Sequence, residues 1–219
     1  MSYNEYNFVD YEYLNPSRNT YGNLELINTS TSQVVTTPEL KEHLRIDTSD
    51  ENDLLATYIS AATIMAENYC NRHFIDVTYK LHFNKLPSKF SLYFPDCKFN
   101  FVGEDKDGLY YLVDSGSGNL YSYSSISNWY ANLNTNPNSV VFINLPTNAI
   151  NENQLNASDD SIYYFKFQTG MGSAASSIPD AIKQAIKLIA GDMYFFREDR
   201  KRQFPMASEI LLQPYKCYL

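Results

Sequence analysis

The side chains that could do chemistry are few and scattered. Three histidines, His43, His73 and His82, fall on different predicted elements, and none stands at metal-ligand spacing from another histidine or a cysteine. Each reads as an ordinary surface or half-buried imidazole. Cys70, Cys97 and Cys217 are widely separated with no CxxC, which describes three free thiols of a reducing compartment rather than a disulfide framework. Glu104-Asp105-Lys106-Asp107-Gly108 has the opening of a calcium loop. The later ligand positions are Tyr110, Tyr111 and Val113, however, and the bidentate glutamate is missing. Asp107-Gly108 predicts a hairpin turn instead. Arg197, Arg200, Lys201 and Arg202 could hold phosphate, but Glu198 and Asp199 interrupt them, so a solvated helix end is the simpler reading. No P-loop, GxGxxG or GxSxG occurs. No metal, cofactor or nucleophile–base pair is nominated, and no enzyme is expected.

The elements around these residues are easier to read. The chain has 219 residues, 44% hydrophobic and 15% aromatic, which supplies one substantial core or two small ones. Nineteen tyrosines and 13 phenylalanines against one tryptophan exclude a mainly disordered chain. No apolar run approaches a membrane span. A net charge of −8 argues against a general grip on nucleic-acid backbone. The N-terminus has neither a basic segment nor an apolar core, so no signal or transit peptide is predicted.

Thr37, as N-cap, and Pro38, at the first helical position, predict a short helix with Leu40 and Leu44 on one face, closed by Arg45-Ile46-Asp47. Asp50 and Asp53 predict a capped start for a second helix reaching Asn71-Arg72. Its apolar face is Leu55, Tyr58, Ile59, Ala62, Met65, Ala66 and Tyr69. Strands are predicted at 76–83, 90–94, 98–102, 109–113, 120–123, 140–143 and 162–167. Turn signals at Gly116–Asn119 and Asn136-Pro137-Asn138 separate some of them. A last long helix follows a polar loop from Thr169. Ser177 is its expected cap, and its face is Ile182, Ala185, Ile186, Ile189, Met193 and Phe196.

The expected fold is therefore α+β. Two long helices and a short N-terminal helix form a core, a β-rich domain is inserted between the helices, and the N- and C-terminal arms are extended. The expected divisions are residues 1–35 (arm), 36–75 (first helical part), 76–168 (β-rich insertion), 169–204 (second helical part) and 205–219 (docking tail). Asp50–Arg72 and Ile178–Arg202 are the expected packed pair. Leu55, Ile59, Ala62, Tyr69, Ile182, Ile186, Ile189 and Met193 are the expected packing residues. Residues 28–33 read as a polar linker. The aromatic-rich arm before them either dangles or orders against its own or a neighbour's surface.

The order of the motifs says more than any one of them. Thr37–Asp47, an Ala-rich helix ending Ala66–Arg72, a β-rich middle opening Val77–Leu81, Thr169–Gly172, Ile178–Ile186, Tyr194–Glu198 and Leu211–Lys216 are colinear. Over about residues 34–219 this series resembles the head–tail connector (adaptor, head-completion, DNA-packaging) family of tailed bacteriophages. Asn71 stands where that family commonly has glycine.

The resemblance implies a structural virion protein of the phage neck, made in the host cytoplasm. It implies a homo-oligomeric ring of twelve copies beneath the portal at the capsid vertex, joined to a downstream neck or tail protein. DNA passes through its channel without sequence-specific binding, and no membrane is involved. The C-terminal segment is then expected to reach the portal, with Leu211, Leu212, Pro214 and Tyr215 as contacts. It would dock as an added strand and be dispensable for the fold. The surplus tyrosine and phenylalanine would supply surface for neighbouring subunits. The alternative is a carbohydrate-binding β-rich module of a phage fibre or surface protein, which requires an exposed aromatic platform.

Overall fold

The structure, a computed structural model, describes residues 24–29, 32–83, 89–92, 94–100, 106–114, 121–126, 129–133, 138–142, 163–197 and 206–218. The expectations for residues 1–23, Gly116–Asn119, Asn136-Pro137 and Arg200–Arg202 lie outside these. The described residues form four helices and nine strands, an α+β architecture in two units. A helical unit draws on Ser30–Asp76 and Gly170–Tyr218, and a β unit on Val77–Thr169 together with the strand before Ser30.

In the helical unit, α1 (Thr37–Leu44) is capped one residue earlier than expected. Thr36, not Thr37, stands at the N-cap. Its hydroxyl accepts from Glu39 N at 3.4 Å, and its own N–H donates to Glu39 Oε2 at 2.7 Å. Glutamate three residues on makes the reciprocal bond possible, and only Thr36 has that spacing. These bonds hold the Glu39 carboxyl below its ordinary range. Arg45, at φ 57°, closes the helix.

Helix α2 (Asn52–Cys70) starts at Glu51, which makes no capping bond, so the expected Asp50 cap is corrected. Asn71 ends it at φ 52°. Asparagine tolerates the left-handed region, which is why it can stand in a glycine position. Helix α3 (Asp180–Phe195) follows a 3₁₀ turn, Ala175–Ser177. That turn takes up Ser177, so it caps nothing. Pro179 is the N-cap and offers its carbonyl to Ile182 N and Lys183 N. Phe196 is also corrected. It has left helical geometry and is 55% exposed, while Ala190 and Gly191 complete the buried face.

The C-terminal arm is not extended. Met206–Leu212 forms α4, followed by a 3₁₀ turn at Gln213–Tyr215. Ser208 and Leu212 fall one turn apart on its buried side. The core of this unit runs through Val34, Val35, Leu40, Leu55, Ile59, Phe74, Ile178, Ile182, Ile186, Ile189 and Leu212. Helix α3 packs against both α2 and α4.

The β unit contains two antiparallel sheets. The larger has the order β1 (Leu24–Thr29), β2 (Val77–Phe83), β9 (Tyr163–Thr169), β5 (Gly108–Asp114), β6 (Tyr121–Ile126), with β4 (Cys97–Lys98) also on β9. The smaller has the order β3 (Lys89–Leu92), β8 (Asn138–Phe142), β7 (Trp129–Asn132). Strands β1 and β7 are additions to the expected set. Residues 28–29, read as linker, belong to β1, which pairs with β2 across a register shift between Leu26 and Asn28. The polar sequence concealed a strand held by ladder bonds at a sheet edge.

Along β2, buried and half-buried residues alternate. Tyr79 lies opposite Phe167 and Leu81 opposite Phe165. Phe90 of β3 reaches Phe165 at 5.3 Å and Phe83 at 5.2 Å, and Trp129 of β7 meets Phe165 edge-on at 5.1 Å. The two sheets therefore meet through rings, with Phe83, Phe90, Phe94, Phe165 and Phe167 all buried. For these phenylalanines the reading as neighbour-facing surface is corrected, because their rings are the unit's own core.

Asp107-Gly108 is not a hairpin turn. Asp107 is buried, 3.5 Å from the buried Lys166 ammonium, and accepts from Asn100 N at 2.6 Å. Gly108 opens β5 at φ 136°, and an added Cβ would lie 3.0 Å from the Trp129 ring.

Thr36→Ala should cost about 1 kcal/mol through the lost cap. Phe165→Ala should cost about 3–5 kcal/mol through the cavity. Urea unfolding of each variant measures both.

Candidate docking surfaces of the helical unit

The four expected portal residues occupy different environments. Leu212 is fully buried, Leu211 and Tyr215 are half-buried against the same core, and Pro214 is exposed. Of the expected packing residues, Leu55, Ile59, Ala62, Ile182, Ile186 and Ile189 are buried, while Tyr69 and Met193 are half-buried beside them.

The segment after α4 is fastened to the last turn of α2. A helix leaves its final carbonyls without intrahelical donors. Cys217 N donates to Cys70 O at 2.8 Å. Asn71 Nδ2 donates to Cys217 O at 3.0 Å, and Tyr69 OH donates to Gln213 Oε1 at 3.1 Å. Arg72 Nη2 lies 2.8 Å from Cys217 Sγ. Lys216 stands 4.6 Å from the Tyr69 ring centre, placing a cation at the negative helix end. Two expectations change here. The tail is folded as helix and turn on its own chain rather than extended, and it is not dispensable for the fold, since removing 206–219 would uncover Leu212's place in the core.

A second fastening joins the start of α2 to the end of α3. Glu51 accepts from Tyr194 OH at 2.6 Å and from Arg197 Nη2 at 3.1 Å. Arg197 also lies 5.7 Å from the Tyr194 ring centre. The tyrosine and arginine bonds lower the Glu51 carboxyl, and the same bond raises the Tyr194 phenol. Sequence reading missed this trio. Its one signal was the acidic start of α2, which was taken for a cap.

The outward apolar side chains of the helical unit are Ile64 on α2, Phe195 and Phe196 at the end of α3, Met206 and Ile210 on α4, and Tyr218. His73 lies 3.4 Å from Glu67, which also accepts from Phe74 N. In the β unit, His82 lies 2.9 Å from Glu25. Tyr110 and Tyr164 stack at 4.7 Å and 13°, with Lys80 4.8 Å from the Tyr164 ring centre. The Tyr164 ring thus has both Tyr110 and Lys80 against it. Among the described residues no group of histidine, cysteine and carboxylate side chains could hold a metal ion. No helix there is long and apolar enough to cross a membrane.

The stretch that builds α1, α2 and β2 carries a likeness to a known family. Residues 36–93 match the model of the phage gp6-like head-tail connector protein. In this segment the chain is similar to that family, and the match spans well under half of the chain. No curated protein matches this chain.

Solved structures extend the likeness in fold. A chain from the neck of an empty gene transfer agent (GTA) particle, with C6 symmetry, superposes at a TM-score of 0.59 and 17% identity. It covers 90% of this chain and 97% of that one. A chain from the neck of the native GTA particle, with C12 symmetry, gives the same values. One from the native GTA virion gives a TM-score of 0.51 at 17% identity, covering 90% and 96%.

Two pH effects follow. Glu51 is depressed below its ordinary 4.5, so its contribution is complete above that value and is lost as pH falls through the lowered one. Glu51→Gln should flatten the acid side of the Tm–pH curve. Burial pushes the Cys70 thiol up from 9.0 to about 12. Its contribution is therefore present below pH 9 and lost as pH rises from there, and Cys70→Ala should remove that alkaline loss of Tm.

Proposed function

We propose that this chain is a connector, a structural adaptor of a virion neck. Its copies form a ring that joins the portal at the capsid vertex to the next neck or tail component, and its channel forms part of the DNA path. The observation that carries the reading is the likeness of fold over 90% of the chain to subunits of symmetric GTA necks. The family segment at α1–α2 supports it independently.

Physical features fit this role. A net charge of −8 suits a wall along which phosphates slide without being held. The end of the tail carries exposed Pro214 and half-buried Tyr215 and Leu211, and these are the proposed portal contacts. Leu212 supports them from within the core. The helical unit is proposed as the ring body and the β unit as a module inserted into its sequence.

The test incubates the purified chain with tailless heads that carry a portal. Electron microscopy should place a ring of it at one vertex, and gel shift with duplex DNA should give no complex at 150 mM salt. Tyr215→Ala should weaken vertex binding by roughly tenfold with the circular dichroism spectrum unchanged. Persistent absence from the vertex, or retention on immobilised glycan instead, would reverse the assignment.

A further inference from the structure

The last residue of α2 and the end of the tail are both cysteines, and the backbone holds them side by side. Cys217 N donates to Cys70 O at 2.8 Å, and Asn71 Nδ2 donates to Cys217 O at 3.0 Å. Both polar groups of the Cys217 backbone are thus tied to the end of α2. Residues joined by a backbone bond of this kind have Cα atoms about 5.5 Å apart, inside the roughly 4.4–6.8 Å that a disulfide spans.

The two sulfurs have different partners in the reduced chain. Cys70 is buried, with Sγ 3.8 Å from Leu212 O. Cys217 is half-buried, with Sγ 2.8 Å from Arg72 Nη2. The third cysteine, Cys97, is buried on β4, where its Sγ lies 3.1 Å from Phe94 O.

We infer that Cys70 and Cys217 form a redox latch: a disulfide that closes under a small-molecule disulfide such as glutathione disulfide and opens under excess thiol. Cys217, the less enclosed of the two, meets the oxidant first. Its thiolate attacks one sulfur of the small disulfide, forms a mixed disulfide and releases one small thiolate. Cys70 then gives its proton to solvent and attacks the Cys217 sulfur, and the second small thiolate leaves. Two protein thiols are oxidised, and one small disulfide is reduced to two thiols. In closing, the Cys217 side chain exchanges Arg72 for Cys70. Burial pushes the Cys70 thiol up to about 12, which suits it to the second, intramolecular step, where the tied backbone presents its partner at high effective concentration. The bond joins residues about two thirds of the chain apart and makes the attachment of tail to α2 covalent. Its consequence for the proposed contacts Pro214 and Tyr215 rests on the adaptor reading. The latch itself does not.

The experiment exposes the purified full chain to glutathione disulfide and then to excess dithiothreitol. Intact mass, peptide mapping without reduction, and Tm follow the change. Wild type should lose two hydrogen masses, yield one linked peptide pair holding Cys70 and Cys217 with Cys97 a free thiol, and gain roughly 10 °C in Tm, all reversed by dithiothreitol. Cys217→Ser, with an unchanged circular dichroism spectrum, should show neither the link nor the gain. A glutathione adduct that persists on Cys217, a disulfide between chains, or two thiols that stay free would each overturn the latch. Vertex binding, which tests the adaptor reading, is measured separately and does not decide it.

Discussion

The close approach of three helices sets the terms for everything else in the helical unit. Helix α3 touches its neighbours through Ala185, Ala190 and Gly191, all buried. A Cβ on Gly191 would lie 3.0 Å from Leu44 Cδ2, so a side chain there would press on Leu44 of α1, which would have to shift by a few tenths of an ångström. Helix α2 answers with Ala62 and Ala66. Small residues bring backbones near each other, and larger ones such as Ile182, Ile186 and Ile189 then fill the space around the crossing. Loops, caps and tail all attach to a frame whose spacing those few positions determine.

The ends of the same helices show how polar groups serve that frame. Glu51, Tyr194 and Arg197 tie one end of the α2–α3 pair, and Cys217, Asn71 and Gln213 tie the other. Neither set has the geometry of a catalytic centre. Each satisfies groups that the packing leaves near the surface.

Much of this was legible in the sequence, and the limits have physical causes. The periodicities of α2 and α3 and the alternation of Val77–Phe83 come from burial that repeats with the element's own geometry, so the elements were readable. Cap positions were misread by a residue or more. Thr36 and Thr37 are chemically alike, and only the distance to Glu39 separates them. Strand β1 was missed because Asn28 and Thr29 hold their place by ladder bonds, which leave no hydrophobic trace. Asp107-Gly108 looks like a turn because turn composition and a buried ion pair use the same residue. The aromatic surplus could be counted but not placed, since a ring in a core and a ring at an interface have the same letter. The outward face of α2 was open to view as a gap in charge from Leu54 to Ala66, a signal easily overlooked when apolar residues are sought for the core.

The place where the chain leaves the helical unit and returns to it has a further implication. Ile75 bridges Gly172, Asp76 N donates to Gly172 O, and Met171 N donates to Phe74 O, so exit and re-entry lie side by side. Gly170 makes this possible, since a Cβ there would lie 2.7 Å from Asp76 Cα. A host whose two cut ends are already adjacent pays little when the intervening segment grows, shrinks or is exchanged. The helical frame is thus a socket: what lies between these two points can change while the helices stay as they are.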